Sequence, residues 1–226
     1  MNILIFILCA AIGYFIGCIN PAYLIGKKCG IDIREKGSGN AGASNAMMLF
    51  GKCTGIFCAI FDILKAYFAI RIVRALFPFF LQAVPVTGTT VILGHLFPFY
   101  MNFQGGKGLA SLAGTALAFN SRAFLILLLI AAIVVIVGNY LCLVPITTSV
   151  LFPIFYLFLT KDLLGTLILC IVPTCICMKH KENVIRIKNG TELHFSYLWN
   201  PEEEMKRIQT NGNVDDETVK ERFLMH

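Results

Sequence analysis

Three short stretches of the chain hold residue types suited to gripping a phosphate, and the apolar sequence between them has to bring all three to one place. The first reads Arg34-Glu35-Lys36-Gly37-Ser38-Gly39-Asn40-Ala41-Gly42-Ala43-Ser44-Asn45, with three glycines, two serines and two asparagines in its last nine residues. Small residues let backbone N–H groups approach an anion, and hydroxyl and amide side chains add donors. A turn between helices needs one or two glycines rather than this density of donors. Arg34, Gly37, Ser38, Gly39, Asn40, Gly42, Ser44 and Asn45 are therefore candidate substrate contacts.

The second stretch reads Gly94-His95-Leu96-Phe97-Pro98 and continues to Phe103-Gln104-Gly105-Gly106-Lys107-Gly108. Gly105, Gly106 and Gly108 surround Lys107 at the entry to a predicted helix, which sets a cation beside a helix N-terminus. The full Walker spacing and its strand are absent, so no nucleotide hydrolase is implied. His95 is either a satisfied intramembrane histidine or a functional one, because ionisable groups at membrane depth pair or act. The third stretch is Lys179-His180-Lys181-Glu182-Asn183-Val184-Ile185-Arg186, followed by Gly190-Thr191-Glu192. On a helix, Lys179, His180 and Asn183 share a face. Taken alone, this stretch also fits a basic collar beside a membrane. Asp62 and Lys65, three residues apart within an apolar run, read as an ion pair that orders a bundle, with substrate contact as the alternative.

What must position these stretches is a membrane bundle. Of 226 residues, 57% are hydrophobic and 14% charged, with a mean hydropathy of +0.75, too apolar for a soluble core of this length. The predicted fold class is all-α, a polytopic membrane helix bundle with about seven transmembrane helices near 3–25, 54–76, 79–101, 108–120, 122–141, 145–160 and 162–178. Two of these, 108–120 and 145–160, are short for a full crossing, and Pro85 and Gly88 suggest a break in 79–101. The first run lacks a basic leader and stays apolar too long for a signal peptide, so it is expected to be retained. Fourteen of the nineteen basic residues fall in the loops after the first and third spans or in the tail. The positive-inside rule then predicts the N-terminus outside and the C-terminus in the cytoplasm, with all three polar stretches on the cytoplasmic face. The net charge of +6 fits anionic lipid rather than nucleic acid. The nine cysteines read as small buried hydrophobes, and no metal site is predicted. Residues 1–195 form the expected transmembrane domain. Residues 196–226 form an expected polar cytoplasmic tail, with a short interfacial helix near 201–209 and disorder beyond it.

Together the three stretches resemble the bacterial acyl-phosphate:glycerol-3-phosphate acyltransferase family, PlsY. Its pattern G-S-G-N-x-G-A-[ST]-N is met by Gly37 through Asn45, and its G-H-x-F-P…F-K-G-G-K-G-[VL]-A-[ST] by Gly94 through Ser111 except at Gln104. Its R-H-[RK]-x-N-[IV]-x-R, with G-x-E following, is met conservatively from Lys179 to Glu192. The resemblance spans residues 3–192. It implies an enzyme of phospholipid biosynthesis in the bacterial inner membrane that moves a fatty acyl group from acyl phosphate to the sn-1 hydroxyl of glycerol 3-phosphate, giving lysophosphatidic acid. It implies His180, Ser38, His95 and Asn183 as catalytic candidates, and Lys107, Gly105, Gly106, Gly108, Lys181, Arg186 and Glu192, with the first stretch, as substrate contacts. No cofactor is expected, and a monomer is expected in contact with membrane lipid. The proton acceptor stays open among His95, His180 and a substrate phosphate.

Three departures stand out. Met48 replaces a usual arginine, Gln104 a usual lysine, and Asn139-Tyr140-Leu141-Cys142-Leu143-Val144-Pro145 stands where the family shows R-Y-x-S-L-x-S. They reduce the cations and hydroxyls available to a phosphate and leave room for a different phosphorylated acceptor. The His-x4-Asp of acyl-CoA-dependent acyltransferases is absent: Tyr100 follows His95 at that offset, Ile185 follows His180 and Trp199 follows His194. The competing class is a transporter or flippase for a phosphorylated solute, which midplane charges such as Asp62 and Lys65 would suit.

Overall fold

The computed structural model describes residues 2–212 and is all-helical across them. The first run is two helices, α1 (Asn2–Cys18) and α2 (Pro21–Lys28). Pro21 cannot continue α1, so the chain breaks and Asn20 caps α2 by accepting from the Tyr23 amide. The last three residues of the first polar stretch begin a helix, α3 (Ala43–Phe50), which the sequence reading did not anticipate. Next come α4 (Lys52–Leu76), α5 (Ala83–Leu96), α6 (Leu109–Phe119), α7 (Ser121–Gly138) and α8 (Leu143–Thr160). The chain continues through α9 (Leu163–Leu169), α10 (Ile171–Lys179), α11 (Lys181–Lys188) and α12 (Pro201–Gly212).

Four stretches are long and apolar enough to cross a membrane: Ile3–Lys28, Ala83–Met101, Ser121–Gly138 and Leu143–Thr160. A fifth is added if the bent pair Leu163–Lys179 and Lys181–Lys188 counts as one span. The expected break in the third span is not present. Pro85 lies in the first turn of α5, where its missing N–H costs nothing, and Gly88 packs on Thr115. The break falls instead between α9 and α10, where Pro173 cannot donate to the carbonyl of Leu169. The expected helix in the tail is present as α12, and the disorder expected beyond it lies outside the described residues.

Helix α5 is the axis of the bundle, with 67% of its apolar window buried, whereas α7 lies at the rim with 17%. Gly13 and Gly17 of α1 lie against the α5 backbone at Thr87 and Val91, and Gly94 returns the contact at Tyr14. Close approach of small residues is how helices associate where lipid removes the hydrophobic drive between them. The core joins Ile92 and Leu96 of α5 to Leu112 of α6, Phe152 and Tyr156 of α8, and Leu169, Val172 and Ile176 of α9 and α10. Outward, Ile136, Val137 and Phe158 remain exposed, as lipid-facing side chains must be. The cysteines divide more evenly than expected: Cys9, Cys18 and Cys58 are buried, Cys142 and Cys175 are half-buried, and Cys29, Cys53, Cys170 and Cys177 are exposed. A small apolar thiol is as compatible with a lipid-facing surface as with a core.

Candidate phosphate site

Side-chain hydrogen bonds tie the three polar stretches to one another. Arg34 Nη1 donates to the Met101 carbonyl at 2.8 Å, joining the first stretch to the second. Lys107 Nζ donates to Asn183 Oδ1 at 2.8 Å, joining the second to the third.

The first stretch is held together from within. The side chain of Asn45 donates to the carbonyls of Ile33 at 2.8 Å and Lys36 at 3.0 Å, and its Oδ1 accepts from the Ser38 amide at 2.9 Å. Asn20 donates to the Ala41 carbonyl at 2.8 Å. Gly37 and Gly39 turn at φ of 59° and 69°, which a side chain would strain. Arg34 is already paired with Asp32 at 2.6 Å and lies over the Tyr23 ring. Hydrogen bonding to Arg34 holds the Asp32 carboxyl below its ordinary range. Arg34 thus fastens this loop, while Ser38, Gly39 and Ser44 are exposed, Asn40 is half-buried and Gly42 is buried.

The glycine amides were expected to cradle an anion, yet several turn inward. Gly39 N–H donates to Lys36, Gly42 to Asn40, Gly105 to Leu96 and Gly106 to His95. These four glycines shape the loops, while the amides of Gly37, Asn40, Lys107 and Gly108 have no hydrogen-bond partner among the described residues. Gly106 must be glycine because a Cβ there would strike the His95 ring. Gly108 opens α6 at φ 90°.

The centre of the site is Lys107. Around it, Asn183 Nδ2 donates to Glu192 Oε1 at 2.6 Å, and Arg186 Nε donates to Glu192 Oε2 at 2.6 Å. Asn183 and Glu192 are buried, and Arg186 is half-exposed. Arg186 is shared between the buried Glu192 and the exposed Glu182, 3.8 Å from its Nη1, whereas Lys107 is in no ion pair among the described residues and keeps its charge for an incoming anion. Burial, then the nearby Arg186, lowers the Lys107 pKa, which a bound phosphate would reverse. His180 is buried one helical turn from Asn183, and its Nδ1 lies 2.9 Å from the Ile176 carbonyl. A carbonyl only accepts, so Nδ1 carries the proton and Nε2 keeps a lone pair. Burial also lowers the His180 pKa, with Lys107 adding to the effect, which favours this neutral form.

His95 is placed differently. It is buried under Gly106, with Nδ1 3.1 Å from Lys65 Nζ and 3.4 Å from Asp62. Lys65 also meets Asp62 at 2.7 Å and the Ile19 carbonyl at 2.6 Å. Lys65 Nζ, which can only donate, and Asp62 Oδ1, which can only accept and has no hydrogen-bond partner, both approach the same His95 nitrogen. Lys181 is exposed and meets none of these groups. The sequence reading missed Asp32 as the partner of Arg34. It also missed Cys142 as a neighbour of Glu192: burial and then Glu192 push that thiol up to about 12. The pattern Asp32-x-Arg34 in an otherwise basic stretch was a usable signal for the first. Nothing local signalled the second.

A multispan helical bundle with an open cationic rim at one end defines the class of membrane protein. Residues 7–190 match the family model described as glycerol-3-phosphate acyltransferase, and the chain belongs to that family. It is 35% identical to a glycerol-3-phosphate acyltransferase of Thermosipho melanesiensis, over 80% of this chain and 88% of that one. It is 37% identical to one of Thermotoga petrophila, over 80% and 92%. The crystal structure of PlsY, an integral membrane glycerol 3-phosphate acyltransferase, in its glycerol 3-phosphate form superposes with a TM-score of 0.77 at 27% identity, covering 85% of this chain and 96% of that one. Its lysophosphatidic acid form gives 0.74 at 28% identity.

Proposed function

We propose that the chain transfers a fatty acyl group from acyl phosphate to the sn-1 hydroxyl of glycerol 3-phosphate at the rim around Lys107. The observation that carries this reading is the Lys107–Asn183–Glu192–Arg186 cluster, with a histidine lone pair one helical turn away. Lys107 and Arg186 bind the acceptor phosphate, Asn183 and Glu192 fix their geometry, and the exposed hydroxyls of Ser38 and Ser44 with Asn40 face the second anion. The glycerol oxygen attacks the acyl carbon as His180 Nε2 takes its proton. The acyl C–O bond to phosphorus then breaks, and phosphate leaves carrying the electron pair. Because a mixed anhydride already has a good leaving group, positioning and charge shielding are the main demands on the protein. His95, closed in by Gly106, supports the turn beneath Lys107.

The bundle is read with seven crossings: α1, α4, α5, α6, α7, α8 and the α9–α10 pair. Helix α6 has 11 residues, about 16 Å at 1.5 Å per residue, so its crossing of a ~30 Å layer is completed by the segments at its two ends. The basic loops and tail support a cytoplasmic location for the site, an external N-terminus and the bacterial inner membrane. The deciding experiment incubates purified protein with glycerol 3-phosphate and either acyl phosphate or acyl-CoA and measures lysophosphatidate. Product from acyl phosphate alone is expected. Equal rates from both donors would overturn the donor assignment, and no product from either would overturn the reaction. Cysteine labelling from the cytoplasmic side should reach substitutions at Ala41, Gln104 and Lys188 and miss one at Arg122. The reverse pattern would invert the topology.

A further inference from the structure

The family model ends at residue 190, yet the chain beyond it is built into the site. From His194 onward it folds back over the third polar stretch. Phe195 N–H donates to the Asn139 carbonyl at 2.6 Å, Ser196 N–H to Asn139 Oδ1 at 2.9 Å, and Asn139 Nδ2 to Ser196 Oγ at 3.1 Å. His194 lies between Tyr140 Oη and Glu204 Oε2, at 3.0 Å from each. Helix α12 then returns, burying Glu204 and Ile208. Its Arg207 donates to Glu204 at 2.5 Å, to the Glu192 carbonyl at 2.6 Å and to the Gly190 carbonyl, where Asn211 Nδ2 also donates at 3.0 Å.

We infer that Arg207 is a positioning residue for the acyl transfer, through a strap formed by residues 193–212. Its guanidinium fixes the backbone of Gly190 and Glu192, and so fixes the Glu192 carboxylate that orients Asn183 and Arg186 around Lys107. The strap also accounts for one departure from the family pattern. Asn139, which stands where the family has arginine, gives its carbonyl, Oδ1 and Nδ2 to residues 195 and 196. At that position the chain has a latch to its own tail in place of a cation. A planar guanidinium presents five donors in a fixed fork that suits two carbonyls and a carboxylate, whereas a lysine has three donors on a flexible stem and holds such a set less firmly. At metal sites, outer residues that only orient the ligands change affinity by about 10–100-fold, and an effect at the lower end of that range is expected here.

The inference rests on the assignment of Lys107 and Asn183 to the acceptor phosphate, and its test separates the two. Arg207→Met is expected to raise the KM for glycerol 3-phosphate about tenfold with kcat within about twofold. Arg207→Lys should fall between it and the unaltered protein. Lys206→Ala removes the same charge from an exposed position on the same helix and should change neither parameter. In an Asn183→Ala background the Arg207→Met effect should shrink to less than about twofold, because both act on one chain of contacts. A purely structural strap would lower Tm and the yield of active protein without moving KM, and that result overturns the inference. So does a full, additive Arg207 effect in the Asn183→Ala background. Should Arg207→Met fail to accumulate, Arg207→Lys and Tyr140→Phe carry the same KM reading, and unchanged KM in both overturns it. If Lys107→Ala retains full activity, the reading of the site itself has failed, whatever Arg207 does.

Discussion

Two polar clusters in this molecule have similar ingredients and opposite character. Asp62, Lys65 and His95 sit within the bundle with side chains almost fully removed from solvent, and the Lys65 ammonium lies against Asp62, the Ile19 carbonyl and His95. Lys107, Arg186, Asn183 and Glu192 sit at the rim, where Arg186 is 36% exposed and meets two carboxylates, while Lys107 is in no ion pair among the described residues. A sealed cluster whose charges face one another can order helices and can do little else. An open one with an unpaired lysine is suited to an anion. The difference shows that an ionisable residue at membrane depth is not by itself a sign of catalysis, because what matters is whether a donor is left over.

The largest effect should come from breaking the sealed cluster. Asp62→Ala leaves Lys65 buried without its counter-ion, at a cost of about 3–5 kcal/mol, whereas replacing both residues by Leu and Met of similar volume should be close to neutral. Thermal unfolding in detergent measures this. Equal destabilisation by the single and double replacements would mean that the pair is not a closed unit.

At the rim the effect should be on rate rather than stability. Lys107→Ala is expected to reduce kcat/KM about 10²–10³-fold, the range for one preorganised donor to developing charge, with little change in Tm. A large loss of Tm with specific activity preserved would make Lys107 a structural residue like Lys65, and the contrast would disappear.

Smaller still is the dependence on pH. His180 must be neutral to accept a proton, and its pKa lies below the ordinary 6.5. The acid limb of kcat/KM should therefore lie below pH 6.5, with the neutral base present at all higher pH. Lys107 must be charged, and its pKa lies below the ordinary 10.5, so the alkaline limb should begin earlier than for a free lysine. His180→Gln should lower the plateau and remove the acid limb. Survival of that limb would assign the proton to a substrate phosphate instead.

How much of this was legible beforehand depended on whether the signal was local. The polar stretches announced themselves because glycine, serine and lysine are out of place in so apolar a chain, and the hydrophobic runs gave the helices. Proline was a weaker guide, since Pro85 and Pro173 look alike in sequence. One lies in the first turn of α5, and the other prevents α9 and α10 from forming one continuous helix. Side-chain partnerships were the least legible. Nothing near Asn45 says that its amide will hold the carbonyls of residues 33 and 36, and nothing near Glu192 announces Arg207. Those contacts depend on how the chain returns, so the charged tail after Trp199 reads in sequence as a short interfacial helix and disorder, with no sign that it meets Gly190 and Glu192.

The smallest expected effects concern the two cations missing from the rim. Met48 is half-buried on α3, and Gln104 is exposed on the turn that follows Met101. A charge-assisted bond to phosphate at a partly buried position is worth ~1.5–3 kcal/mol, whereas an exposed pair is worth about 0.2–1 kcal/mol after screening. Met48→Arg should accordingly lower the KM for glycerol 3-phosphate by about tenfold or more, and Gln104→Lys by no more than about fivefold. Neither should change the KM for acyl phosphate. Raised salt should erode the Gln104→Lys gain first, because screening acts most strongly on exposed charge. Should the natural acceptor be another phosphorylated molecule, both substitutions would raise activity on glycerol 3-phosphate from near zero. If neither moves KM or activity for any acceptor, positions 48 and 104 do not face the substrate, and the rim around Lys107 holds its phosphate without help from the first loop.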